Sequence, residues 1–294
     1  MDLTAYLTEK RTIIDNAMRE IFDSFHTVPG VLRDAMEYMV FASGKRIRPI
    51  LAIAACEAKG KSSDDVLPFA CSIEMIHTYS LIHDDLPSLD NDDLRRGKPT
   101  CHKVFGEAIA ILAGDGLLTE AFRVMTDSRY TERINPQVLK EIIFEISLAA
   151  GAGGMVGGQV MDVLYEGKEG SKMIVNYIHT HKTTAMIRAS VRIGAMVGGA
   201  TAHELKHLTK YGESIGLAFQ ITDDLLDYEG DEEVVGKKLK KDMNKQTYVK
   251  HYGVENSKLK VEQVIQEAIH AVAFLGEGSE ILTQIAQYIG SRIR

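Results

Sequence analysis

Apolar residues in this chain recur at steps of three and four, and that spacing restricts it to packed helices. Leu208, Tyr211, Ile215, Ala218, Thr222 and Leu225 step 3, 4, 3, 4, 3, and Phe69, Ile73, Ile76 and Ser80 step 4, 3, 4, the pattern that puts one apolar stripe on an α-helix. No segment sustains period-two alternation between turn pairs such as Asn-Gly, so strands have little support. Breaks fall at Pro29-Gly30, Gly44, Gly60 to Ser63, Pro87, Gly97 to Pro99, Asn135-Pro136, Gly167 to Gly170, and from Gly230 to Lys241. No low-complexity linker divides the sequence. The expected fold is therefore all-α, with one domain over residues 1–294. The glycines between 151 and 158 each cost ~1 kcal/mol in a helix relative to alanine, and close helix packing is their expected reason.

Composition excludes several classes. A 294-residue chain with 45% apolar residues can bury a large core without staples. The longest charge-free stretch, Ile146 to Met161, has 16 residues and five glycines, short of the ~20 apolar residues a membrane helix needs. The start, MDLTAYLTEK, is too polar for a signal peptide. Cys56, Cys71 and Cys101 form neither a disulfide framework nor a zinc-type pair. A reduced, cytoplasmic protein is expected, with no stable membrane association. A net charge of -7 argues against a nucleic-acid partner held mainly by charge.

Two acidic clusters grow out of apolar helical segments. The first is Asp84, Asp85, Asp90, Asp92 and Asp93. Ala70, His77 and Asp84 lie seven apart and share a face, while Pro87 turns Leu86 away from helix. Asp84 and Asp85 thus fall in a last helical turn, at the negative end of the helix dipole. The second cluster is Asp223, Asp224 and Asp227, followed by Glu229 and Asp231 to Glu233; Gln220 and these carboxylates form a polar stripe opposite Tyr211, Ile215 and Ala218. Two carboxylates about 4 Å apart repel by ~4 kcal/mol at an effective dielectric of 20. A single acidic run is usually a solvated helix end, but two such runs of oxygen-only donors point to a hard cation such as Mg²⁺ with a phosphorylated ligand. A calcium loop fails on spacing, because DNDDLRRGKPTC lacks glycine at its sixth position and glutamate at its twelfth.

Basic groups suited to an anion lie nearby in the sequence. Lys45 and Arg48 are three apart on one expected helical face, with Arg46 turned about 100° away. Pro49 marks a first helical turn whose free N–H groups favour an anion. Arg95 and Arg96 follow the first acidic cluster, and His77 lies on the face of Asp84. Gly212-Glu213-Ser214-Ile215-Gly216 has the form of a hydrolase elbow but sits inside a helical stripe. Gly230 to Lys237 fits a phosphate loop poorly, having Lys238 where Ser or Thr is required.

Together these segments resemble the short-chain trans-prenyl diphosphate synthases. GKRIRP (44–49), EMIHTYSLIHDDLPSLDNDDLRRGKPTCH (74–102), AGDGLL (113–118), GGQVMD (157–162), HKTTA (181–185) and FQITDDLLD (219–227) are similar to that family's motifs and stand in its order. The resemblance implies an all-α isoprenoid-synthase bundle around a central cavity, usually a homodimer. It implies Asp84, Asp85 and Asp90 as ligands to two Mg²⁺ ions, and Asp223, with Asp224 and Asp227 nearby, to a third. Lys182, Thr183, Gln220, Asp224 and Lys237 are its implied catalytic positions. The allylic diphosphate would meet Arg95, Lys182, Thr183, Gln220 and Lys237, and isopentenyl diphosphate would meet Lys45, Arg48, His77 and Arg96, with Arg292 and Arg294 as further candidates.

The implied reaction is condensation of isopentenyl diphosphate with dimethylallyl and geranyl diphosphate to farnesyl diphosphate (C15). It needs no protein nucleophile, consistent with the lack of a Ser-His or Cys-His arrangement. Tyr79 and Ser80, five and four residues before Asp84, take the positions that limit product length in the family. The Pro87-Ser88 pair, which lengthens the motif to DDxxxxD, resembles the C15 pattern. Two departures stand out: the run KLKKDMNKQTY after Lys237 is about two residues short, and Thr184 stands where glycine or alanine is usual. The rival readings are a geranylgeranyl diphosphate synthase, a non-catalytic prenyl-diphosphate-binding subunit and a terpene cyclase; the Lys45, Arg48 and His77 set speaks against the cyclase.

Overall fold

A computed structural model describes residues 2–229 and 244–292. Lys237, the shortened run 238–243 and Arg294 lie outside the described residues. Helices α1 (Leu3–Asp23), α2 (Gly30–Val40), α3 (Ile47–Glu57) and α4 (Ser63–Asp84) lead to a two-stranded antiparallel hairpin, β1 (Leu94–Arg95) and β2 (Lys98–Pro99). Then come α5 (Cys101–Phe105), α6 (Glu107–Thr126), α7 (Ser128–Thr131), α8 (Pro136–Ala150), α9 (Met155–Tyr165) and α10 (Lys172–Ile178). A π-helical turn (His179–Thr184) runs directly into α11 (Ala185–Val197), followed by α12 (Ala202–Glu229). After the undescribed segment come α13 (Tyr248–Tyr252), α14 (Val254–Val272), a 3₁₀ stretch (Ala273–Ser279) and α15 (Glu280–Ser291).

Local chemistry sets the helix boundaries. Asp2 accepts from the Thr4 N–H at 3.0 Å to start α1, and Ser62 accepts from the Asp64 N–H at 3.2 Å to start α4. The Asn135-Pro136 break proves to be a start signal: Asn135 accepts from the Gln137 N–H at 2.8 Å and Pro136 opens α8. Among the described residues the hairpin is the one departure from an all-helical reading, and its turn residues Arg96 and Gly97 both have positive φ, 53° and 77°.

Helix α4 lies at the centre, packed on α3, α6 and α11, while α12 packs on α11 and α14. Phe69, Ile73 and Ile76 of the expected stripe are fully buried, and so are Ala70, Cys71 and Met75 on other faces. A helix apolar all round belongs inside a bundle, and each large aliphatic buried there contributes ~1.5–3 kcal/mol. All three cysteines are buried and unpaired. No described helix is long and apolar enough to cross a membrane.

The glycine cluster divides between two roles. Residues 151–154 form the bend between α8 and α9, while Gly158, inside α9, lies so close to His181 and Lys182 that an added Cβ would overlap their backbone. Close packing thus accounts for Gly158, and turn geometry for the first part of the cluster. Gly158→Ala should lower unfolding stability by ~1–3 kcal/mol through overpacking, measured as a shift in the denaturant midpoint.

Candidate active site

Helix α4 ends where the sequence indicates, with Asp84 its last residue and Asp85 its cap. The following loop folds back beneath it. Asp90 N–H donates to the Asp84 carbonyl at 2.9 Å and Asp92 N–H to the Asp85 carbonyl at 3.2 Å, satisfying acceptors that a helix end leaves open. This places the acidic loop next to the last turn of α4. The Asp85 carboxylate is fully buried and held by Arg95, whose Nε lies 2.7 and 2.8 Å from its two oxygens. Burial pushes the Asp85 carboxyl up, and Arg95 opposes the shift. Asp84, half-buried, is pushed up to about 6, chiefly by desolvation, with Lys182 pulling it down and Asp90 adding to the rise. Asp90 is paired with Lys245 at 3.1 Å.

The second cluster splits by depth. Asp223 faces a cavity and pairs with Arg292 at 2.9 Å, whereas Asp224 and Asp227 are buried. The expected open carboxylate stripe is therefore only partly present, because α13 and the π-turn pack over one side of α12. Asp224 accepts from Gln220 Nε2 at 2.9 Å and from the Tyr248 N–H at 2.6 Å, and lies 3.3 Å from His179 Nε2. Thr183 Oγ1 donates to Gln220 Oε1 at 2.6 Å. The turn His179–Thr184, which holds most of the HKTTA segment, is a π-helical widening, a feature frequent at functional sites. Lys182 extends from it to Asp162 at 2.6 Å, and Thr184 is buried.

The basic residues converge, although not as a helical face. Helix α3 begins at Ile47, with Pro49 in its first turn as expected, so Lys45 precedes the helix. Arg46 takes a left-handed conformation, φ 52°, and is buried against Glu74 at 2.7 Å, Asp15 at 2.9 Å and the Val40 carbonyl at 2.5 Å. Anchored in this way, Arg46 leaves Lys45 and Arg48 on the wall of a cavity of about 560 Å³ that also meets His77, Arg95, Arg96, Thr183, Gln220, Asp223 and Arg292. Arg48 Nη1 lies 3.3 Å from His77 Nε2. Since arginine only donates, this ring nitrogen accepts and the proton sits on Nδ1. Burial, then Arg48, Arg96 and Arg95, hold His77 well below its ordinary value; it is neutral at pH 7. Among the described residues, the buried atoms Arg48 Nε and Arg292 Nη1 have no hydrogen-bond partner, as groups reserved for an anion would.

Among the described residues no three His, Cys, Asp or Glu side chains already converge as a metal cage. The donor set nevertheless fits Mg²⁺, which takes few carboxylates and fills its shell with water and phosphate oxygens. Asp84 loses water at the end of α4, and that desolvation raises its carboxyl. Tyr79 is 7% exposed on α4, and the Ser80 hydroxyl donates back to the His77 carbonyl at 2.8 Å. Sequence reasoning did not single out Lys245, Asp162 or His179 as partners of the site. Lys245 and Asp162 stood inside quoted motifs, NKQTY and GGQVMD; His179 carried no signal beyond its nearness to Lys182.

The sequence pattern of the family described as polyprenyl synthetase matches residues 29–281. The chain belongs to the polyprenyl synthetase family. It is 45% identical to a farnesyl diphosphate synthase of Geobacillus stearothermophilus over 99% of this chain and 98% of the relative. It is 40% identical to a geranylgeranyl diphosphate synthase of Cyanophora paradoxa over 99% and 97% of the two chains. Among solved structures, a geranyltransferase from Legionella pneumophila aligns with TM-score 0.89 and 28% identity over 99% of this chain and 97% of that one. An FPP/GFPP synthase from Zymomonas mobilis aligns with TM-score 0.87 and 34% identity over 97% and 99%. The all-α bundle is thus the fold of this family.

His77 sets an acid limit on this polyprenyl synthetase fold. Its folded value lies below the unfolded one of 6.5, so the unfolded chain takes up a proton first and stability falls as pH drops below about 6.5. His77→Gln should melt with a smaller loss between pH 7.5 and 5 than the parent, followed by circular dichroism.

Proposed function

We propose that this chain condenses isopentenyl diphosphate with dimethylallyl and geranyl diphosphate to form farnesyl diphosphate. The observation that carries the reading is the single cavity in which Lys45, Arg48, His77 and Arg96 share walls with Thr183, Gln220 and Asp223. Such a site offers an anion subsite beside a carboxylate bank. The high identity to farnesyl diphosphate synthases over whole chains supports the C15 product.

In this reading Asp84 and Asp90, with Asp85 in support, would hold two Mg²⁺ ions, and Asp223, with Asp227 nearby, would hold a third. Bound Mg²⁺ would supply Lewis-acid stabilisation of the diphosphate leaving group. Arg95, Lys182 and Lys237 add positive charge to the allylic diphosphate as its C–O bond breaks. Lys182 is held ready by Asp162, and Asp224 orients Gln220, which in turn receives the Thr183 hydroxyl. Thr183 and Gln220, both on the cavity wall, are thereby fixed in orientation beside the allylic diphosphate. Lys45, Arg48, His77 and Arg96 position the second diphosphate so that the isopentenyl double bond attacks that cation. A carbon–carbon bond forms, and the released diphosphate takes the proton lost from the adjacent carbon. Arg292 closes the isopentenyl side of the cavity.

Incubation with labelled isopentenyl diphosphate plus dimethylallyl or geranyl diphosphate tests this. Elongation with Mg²⁺ and none after chelation is expected; binding without elongation would favour a non-catalytic subunit. Tyr79 forms the floor for the growing chain. Tyr79→Ala should move most product from C15 to C20 or longer in chromatography of the dephosphorylated alcohols. A parent enzyme already making C20 would favour the geranylgeranyl reading, which relatives such as the Cyanophora enzyme keep open.

The chain also acts as a homodimer in this reading. Ile111 and Leu112 on α6, Phe144 and Leu148 on α8, and Val156, Val160, Val163 and Leu164 on α9 are exposed, Phe144 by 68%. Apolar rows of this extent call for a partner, and a second copy offers the same rows in return. Sedimentation should give twice the 32.5 kDa chain mass, and Phe144→Asp should shift it toward the monomer.

A further inference from the structure

Helix α4 packs more extensively on α6 than on any other element, and one contact in that seam has no part in the mechanism above. His83, one turn beyond Tyr79 on the same face of α4, lies with its ring edge-on to the Tyr79 ring, centroids 5.8 Å apart and planes at 77°. His83 Nε2 lies 3.0 Å from the Ile111 carbonyl of α6; a carbonyl only accepts, so Nε2 carries the proton. Three residues along α6, Gly114 leaves the space the ring occupies, since a Cβ there would overlap His83 Nε2, Cδ2 and Cε1. The imidazole is therefore fixed on one side by a hydrogen bond into a glycine notch and supports the phenol on the other. Tyr79 itself is 7% exposed.

We propose that His83, seated in the Gly114 notch of α6, is a specificity-determining positioning residue that braces Tyr79 and so helps set product chain length. The inference rests on the reading of Tyr79 as the floor. A floor residue restrains chain length only while its side chain is held across the cavity. Buried aromatic rings are held by neighbours that leave no room to turn. Without the imidazole, the space between α4 and α6 becomes available to the phenol, which tilts away and deepens the cavity. Gly114 acts one step further back: a methyl group there expels the imidazole from its notch and detaches it from Ile111.

The test compares product distributions from dimethylallyl diphosphate and excess isopentenyl diphosphate for His83→Ala, Gly114→Ala, His83→Phe, Tyr79→Ala and the Tyr79→Ala/His83→Ala pair, with melting temperatures confirming folding. His83→Ala and Gly114→Ala should each raise the C20-to-C15 ratio at least fivefold. His83→Phe, which keeps an aromatic edge on Tyr79, should stay at C15. The pair should lengthen product no further than Tyr79→Ala alone, because a brace has no effect once its target is gone. Lengthening by Tyr79→Ala with unchanged C15 output from folded His83→Ala and Gly114→Ala would overturn the brace alone. C20 output from folded His83→Phe, or an additive pair, would also overturn it. Unchanged C15 output from Tyr79→Ala would overturn the floor reading and the brace together.

Discussion

A helix buried on nearly every side cannot end in two carboxylates unless positive charge meets them there. That constraint organises this protein. Burial of α4 brings Asp84 and Asp85 to the edge of the core, where a carboxylate loses water and its charge becomes costly. Arg95 answers Asp85 within the chain, and the pair also pins the hairpin to the end of α4. Asp84 has no equally close counterion and is pushed up to about 6. The same desolvation that stabilises the bundle raises the cost of carrying charge at the end of α4.

Around this point the polar groups form linked sets. Arg46 draws Glu74, Asp15 and the Val40 carbonyl together, which fixes the turn presenting Lys45 and Arg48. Asp224 joins α12 to the π-turn and to the start of α13 through Gln220, His179 and Tyr248. Each set is largely buried and hydrogen-bonded, so its members hold one geometry rather than many. Preorganised dipoles and cations of this kind need no rearrangement when charge develops on a leaving diphosphate. Ion pairs link the same region: Asp90 with Lys245, Asp223 with Arg292 and Lys182 with Asp162.

Much of the helical content was legible because period and caps are local properties. The stripe through Leu208, Tyr211 and Leu225 is buried as read, α4 ends before Pro87, and Ser214 of the elbow-like GESIG lies buried in mid-helix rather than after a strand. The errors have a common origin. Lys45 and Arg48 do converge, but through a left-handed Arg46 whose conformation is held by Asp15 and Glu74, 31 and 28 positions away. Asp224 looked like its neighbour Asp223 and is instead a buried acceptor, because α13, from 24 residues later, delivers the Tyr248 N–H to it. The HKTTA segment gave no sign of a π-turn, since that widening depends on α9 and α12 packing against it.

The amino-acid sequence alone determined that the chain would be helical, where most helices begin and stop, and that two carboxylate clusters and one basic cluster would emerge from them. These follow from hydrogen bonds and side-chain periods spanning a few residues. Only the tertiary structure decided which carboxylates face the cavity and which are consumed by Arg95, Tyr248 or His179. That choice depends on how much water each group loses and on which partner reaches it, and both are set by contacts between residues far apart along the chain.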